Sequence, residues 1–181
     1  MTEQQESSTF IERLRKRDAD AFEELVGRYG GRCYGYFYRL CGNPELSEEL
    51  LSELLVKLVE KVASFEGGSF EKWLFTVASN LFRDHLRRQY RYKRLLDEAA
   101  HEQQMQMDEE SGAANQQVVS DKLQWALEKL DKETAELLML RYYSQASFKE
   151  LAEMRNEPIG TTLSKVHRGL KRLRVLMEDA I

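Results

Sequence analysis

The sequence predicts an all-α protein: two small helical domains joined by a flexible acidic linker. Three observations lead there. Only two prolines and ten glycines occur in 181 residues, and long runs of Leu, Glu, Lys and Arg favour helix. Apolar residues recur at three-and-four spacing over most of the chain, the period of a helix with one buried stripe. Between about Leu95 and Ser120 that period stops, and glutamine, glutamate, methionine and Ser111-Gly112 replace it, the composition of a tether that is helical only in part. A chain of this length with 42% hydrophobic residues can bury a core, as one domain or as two. The expected division is an N-terminal segment over 1–17, a first domain over 18–94, the linker over 95–120 and a second domain over 121–178.

Each element has a local cause. From Asp18 to Leu40 the residues Phe22, Leu25, Val26, Tyr29, Cys33, Phe37 and Leu40 follow helical spacing, with Gly30 and Gly31 able to loosen or divide the segment. Asn43-Pro44 reads as a cap followed by proline at the first helical position. The helix after it carries Leu46, Leu50, Leu51, Leu54, Leu55, Leu58, Val59 and Val62, and ends near Ser64. Gly67-Gly68 makes a loop. A third helix from about Ser69 holds Trp73, Leu74, Val77, Ala78, Leu81 and Leu86. Periodicity resumes after the linker with Leu123, Ala126, Leu127 and Leu130, and Asp131 caps a helix containing Ala135, Leu137, Leu138 and Leu140.

The net charge of -4 conceals a strongly uneven distribution. Arg83, Arg87, Arg88, Arg91, Lys93 and Arg94 form one basic run; Lys165, Arg168, Lys171, Arg172 and Arg174 form another. Asp97, Glu98, Glu102, Asp108, Glu109 and Glu110 lie between them. Two basic faces with an acidic spacer suit two contact points on one polyanion, or are two ordinary solvated faces. Cys33 and Cys41 lack CxxC spacing and read as buried free thiols, and the three histidines are scattered, so no metal or other cofactor is expected. The polar amino terminus is not expected to be a signal peptide, and no apolar run approaches the roughly 18 residues that span a bilayer. The chain is expected in the cytoplasm, without membrane insertion.

Ser147 to Arg174 reads as a helix-turn-helix. Ser147 and Glu150 fit a capping box; Leu151, Ala152 and Met154 face inward; the stretch Asn156 to Gly160 breaks the helix. Thr161 is the expected cap of the second helix, with Leu163, Val166, Leu170 and Leu173 on its buried side. Thr162, Ser164, Lys165 and Arg168 then occupy other faces at the exposed start of that helix, as entry into a major groove requires. An αα-hairpin without a DNA role has the same outline.

Ser147–Glu153 (SFKELAE) and Pro158–Arg168 (PIGTTLSKVHR) resemble region four of bacterial sigma factors, in particular the extracytoplasmic-function group, and Leu127–Asp131 (LEKLD) and Leu138–Arg141 (LMLR) resemble the helices leading into it. Independently, Ala21–Val26 (AFEELV), Ser47–Leu55 (SEELLSELL), Phe70–Leu81 (FEKWLFTVASNL) and Asp84 to Arg88 resemble region two of that group. The resemblance implies a non-enzymatic subunit that lends promoter specificity to core RNA polymerase. It implies that Thr161, Thr162, Ser164, Lys165 and Arg168 read the minus-thirty-five element of promoter DNA. It implies that Phe65, Trp73, Asn80, Arg83, Arg87 and Arg88 open and hold the minus-ten element. Glu49, Leu50, Ser52, Glu53 and Leu54 then lie on the polymerase-binding helix, and an anti-sigma factor is an implied inhibitor.

Strand opening calls for aromatic surfaces, an amide that reaches a base edge and arginines on phosphates. Trp73 is open to a second reading as core, and Asn80 as a structural amide. Glu49 and Ser52 depart from the family's usual Asp and Gln; Leu163 replaces a common basic or polar residue, and Gly169-Leu170 a frequent Ala-Arg pair. These departures leave a rival reading, a stand-alone helix-turn-helix regulator, against which the Trp73 to Arg88 run argues. The absence of a phosphate loop, metal cluster or paired nucleophile and base argues against an enzyme.

Overall fold

A computed structural model describes residues 3–102 and 122–179, and among them every regular element is helical. The expected acidic linker lies largely outside the described residues. The first half begins with a helix absent from the sequence expectation: α1, Glu3–Arg15, with Phe10, Ile11 and Leu14 buried. Three apolar residues give too short a period to stand out, and it is the neighbouring core that makes them a helix face. Asp18 accepts from the amides of Asp20 and Ala21 and starts α2, Ala19–Cys41, which runs unbroken through Gly30 and Gly31 and ends at left-handed Gly42. Asn43 accepts from the Leu46 amide, and Pro44 opens α3, Pro44–Lys61, as its sequence required.

A 3-10 turn over Val62–Ser64 and a loop with Gly67 and Gly68 at positive φ lead into α4, Phe70–Glu102. That helix continues past Arg94, where the linker was expected to begin. Beyond the linker come α5, Lys122–Glu128, and α6, Lys132–Ser144, capped by Asp131. They are followed by α7, Phe148–Arg155, and α8, Ile159–Asp179.

The two halves are packed together, with α6 as the shared wall. Six consecutive residues, Ala135 to Leu140, are buried, because α2 and α4 cover one side of α6 and α8 covers the other. A helix without a polar face is one enclosed on every side. The approach is close enough to need glycine at two points. A Cβ on Gly35 would lie 2.8 Å from the Tyr143 hydroxyl, and one on Gly169 would lie 2.7 Å from Thr134 Cγ2. Tyr143 packs edge-on against Tyr36 and tilted against Phe75, while Arg32 donates both to Glu71 and to the Tyr143 carbonyl.

Inside this seam sits a fully buried carboxylate, Glu136. Its Oε1 accepts from the hydroxyls of Tyr36 on α2, at 3.2 Å, and Ser79 on α4. Its Oε2 accepts from Arg155 on α7, itself buried. Burial pushes the Glu136 carboxyl up, opposed first by the Arg155 charge and then by Ser79. Burial likewise drives the Tyr36 hydroxyl well above its ordinary range. Removing one partner of a buried pair strands the other in a dry site, at a cost of about 3–5 kcal/mol. Glu136→Ala should therefore lower the unfolding free energy by about that amount in urea denaturation. A loss below about 1 kcal/mol would mean that Glu133 and Glu157, which also pair with Arg155, suffice to hold its charge.

Candidate nucleic-acid interface

The helix-turn-helix is built from α7 and α8. Ser147 and Glu150 form the capping box: the Glu150 amide donates to Ser147 Oγ, and the Ser147 amide donates to Glu150 Oε2. The other oxygen, Oε1, accepts from Lys72 on α4. Lys72, then the Ser147 donors, pull the Glu150 carboxyl down to about 2. Asn156, left-handed at φ 53°, closes α7 by donating to the carbonyls of Ala152 and Glu153. Pro158 then accepts from the amides of Thr161 and Thr162, so α8 begins at Ile159 and Thr161 is not its cap. Proline's fixed φ and missing donor suit a helix start, and they win over the threonine.

This shift changes which face of α8 is buried. The inward stripe is Thr162, Val166, Gly169 and Leu173, not Leu163, Val166, Leu170 and Leu173. Thr162, expected on the reading face, is fully buried and its hydroxyl has no partner. Leu163 and Leu170 are instead 42% and 53% exposed. Thr161, Ser164 and Arg168 are exposed. Lys165 is half-buried and held by Glu133 at 2.8 Å and Glu157 at 3.1 Å, and both acids also pair with Arg155. These acids were not anticipated, because no local spacing links Glu133 to Lys165.

In the first half, Phe65 is buried beneath Phe70 and Trp73, whose rings meet it at 5.7 and 5.5 Å. It supports the aromatic cluster and does not present a face. Trp73 is half-buried at the edge of that cluster, and Asn80 is exposed about two turns along α4 from it. Arg83 donates to the Asn80 side-chain oxygen. Arg87 and Arg88 are exposed, pairing with Asp84 at 2.9 Å and Glu53 at 3.5 Å. Exposed Tyr90 and Tyr92 extend this basic face along α4.

On α3, Leu50 and Leu54 point into the core and cannot meet a partner. The outward face carries Glu48, Glu49 and Ser52, with Val56 at 58% exposure, a residue the sequence reading passed over. Cys33 and Cys41 are free thiols that burial pushes up to about 12 and about 11. No helix among the described residues is long and apolar enough to cross a membrane.

Comparison with known proteins agrees with this layout. Residues 25–92 match the family description Sigma-70 region 2, and residues 126–175 match Sigma-70, region 4. The ECF RNA polymerase sigma factor SigW of Bacillus subtilis is 28% identical over 93% of this chain and 95% of its own length. The ECF RNA polymerase sigma factor SigE of Mycolicibacterium smegmatis is 31% identical over 85% of this chain and 60% of its own length. Among solved structures, the sigma factor RpoE from Bartonella quintana, in complex with the anti-sigma factor NepR, superposes with a TM-score of 0.68. At 24% identity it covers 87% of this chain and 96% of that one, a likeness of fold.

The buried Thr162 hydroxyl gives a direct test of the α8 register. An unpaired buried polar group costs about 1–3 kcal/mol. Thr162→Val should raise the unfolding free energy by about 1 kcal/mol and leave duplex affinity unchanged. A stable variant with weakened DNA binding would return Thr162 to the reading face.

Proposed function

The chain belongs to the extracytoplasmic-function group of RNA polymerase sigma factors, and on that premise we propose that it joins core RNA polymerase and selects promoters by two contacts. In this reading α8 enters the major groove of the minus-thirty-five element, with Thr161, Ser164 and Arg168 foremost. The α4 surface of Trp73, Asn80, Arg83, Arg87 and Arg88 opens and holds the minus-ten element, and the acidic outer face of α3 meets the polymerase. The protein performs no catalysis of its own and works in the cytoplasm. The observation that carries the reading is the pairing, on one chain, of an exposed basic-aromatic helix with a helix-turn-helix. A stand-alone regulator has no use for the first. RpoE is seen with an anti-sigma factor, and we take a similar inhibitor as a partner here.

Two elements about 25 base pairs apart are separated by about 85 Å at 3.4 Å per pair. A packed body of this chain length is only about 40 Å across. Residues 103–121 can span at most about 65 Å. Full promoter engagement in this reading therefore parts the α6 seam while the connecting chain keeps the halves tethered.

Purified chain with core polymerase should start transcription at a specific promoter, while the chain alone should bind duplex DNA weakly. Tight sequence-specific binding without polymerase, together with no association with core enzyme, would establish the stand-alone regulator instead. Asn80→Ala should impair strand opening, followed by permanganate reactivity, more than duplex binding; equal losses would remove the amide from the opening surface. Gly35→Leu drives a side chain against Tyr143 and should enlarge the radius of gyration in small-angle scattering. An unchanged curve would show that this wedge does not loosen the seam.

A further inference from the structure

Two of the five residues expected to read bases from α8 are otherwise engaged: Thr162 is buried, and Lys165 is drawn into Glu133 and Glu157. What the first turns of α8 present in their place is unusual for a groove-facing helix. Ile159 and Leu163, one turn apart, are 49% and 42% exposed, and neither takes part in the hydrophobic core. Ser164, next to Leu163, donates its hydroxyl to the Gly160 carbonyl at 2.8 Å. With its hydrogen committed, that oxygen is left as an acceptor. Arg168 donates from Nε to the Ser164 carbonyl at 3.2 Å, which lays its guanidinium along the helix and leaves the terminal nitrogens free to donate.

The major-groove edges of the bases offer one apolar group, the thymine methyl. They offer two donors to an acceptor, adenine N6 and cytosine N4. Only an A·T pair carries both the methyl and an amino donor, and Leu163 and Ser164 are adjacent residues on the helix. We propose that Leu163 is a specificity-determining residue. It packs on a thymine methyl of the minus-thirty-five element while Ser164 accepts from an adenine amino group of the same or the neighbouring pair. Arg168, one turn further on, faces a guanine or a phosphate. This rests on the reading of α8 as the groove helix, and it turns the departure at Leu163 into a preference for A·T at that step. Leu170, more exposed still, lies two turns deeper in the helix. A recognition helix reaches bases chiefly with its N-terminal residues, which makes Leu170 an internal control.

The test uses holoenzyme assembled from the full chain and core polymerase. It selects from a duplex library randomised over the upstream region, and the winner is resynthesised with deoxyuridine in place of each thymine in turn. Loss of the contacted methyl should weaken holoenzyme binding about fourfold at one position. That dependence should vanish with Leu163→Ala and persist with Leu170→Ala. Selection of a defined element in which no thymine methyl matters, or in which Leu163→Ala keeps the dependence, overturns the role of Leu163 and leaves the sigma-factor reading intact. Failure of the holoenzyme to select any sequence overturns both.

Discussion

At the centre of the seam that joins the two halves lies one dry carboxylate, Glu136. Glu136 is the only charged residue in the wholly buried run of α6, and desolvating it is expensive unless every lone pair is occupied. Tyr36 and Ser79 supply hydroxyls from the first half, and Arg155 supplies a charge from the second. Buried ion pairs contribute little net stability compared with apolar residues of like volume, but they punish misalignment. Glu136 therefore acts chiefly as a register pin. The helices α2, α4, α6 and α7 can satisfy it in one arrangement.

The pin also reaches α8. Arg155 is held by Glu136, Glu133 and Glu157, and the last two hold Lys165 on α8. Lys165 is thereby withdrawn from the phosphate-facing set. A helix-turn-helix with fewer free cations binds duplex more weakly and with a shallower salt dependence. That suits a subunit whose grip on DNA is meant to depend on a larger assembly. The overall charge of -4 likewise leaves the two basic runs, on α4 and α8, as local exceptions on an acidic chain.

Those elements whose causes are local could be read from the sequence. The starts of α3, α6 and α7 are fixed by Asn43, Asp131 and Ser147, whose side chains meet amides three residues away. The face of α8 could not be read that way. The stripes Leu163–Val166–Leu170–Leu173 and Thr162–Val166–Gly169–Leu173 both have helical spacing, and hydropathy favours the first. The second is the one observed, with Gly169 facing Thr134 so closely that a Cβ would lie 2.7 Å from its methyl, a fact about a helix some 35 residues distant. The seam itself left a trace: six residues from Ala135 to Leu140 without a solvent face imply burial on two sides. Of the candidate site, the exposed arginines and Asn80 were legible as surface, whereas Leu50, Leu54 and Phe65 were placed by resemblance at positions that packing turns inward.

The two acids at the seam divide their oxygens in the same way. Glu136 gives Oε2 to Arg155 in its own half and Oε1 to the hydroxyls opposite; Glu150 gives Oε2 to its own cap and Oε1 to Lys72 opposite. Were the halves to separate, as the proposed reading requires, each carboxylate would lose only the bonds made by one oxygen, and water could take that place. The helix-turn-helix keeps its internal fastenings throughout. On the proposed reading the joint is thus demountable, because the bonds that cross it are distinct from those that hold each half together.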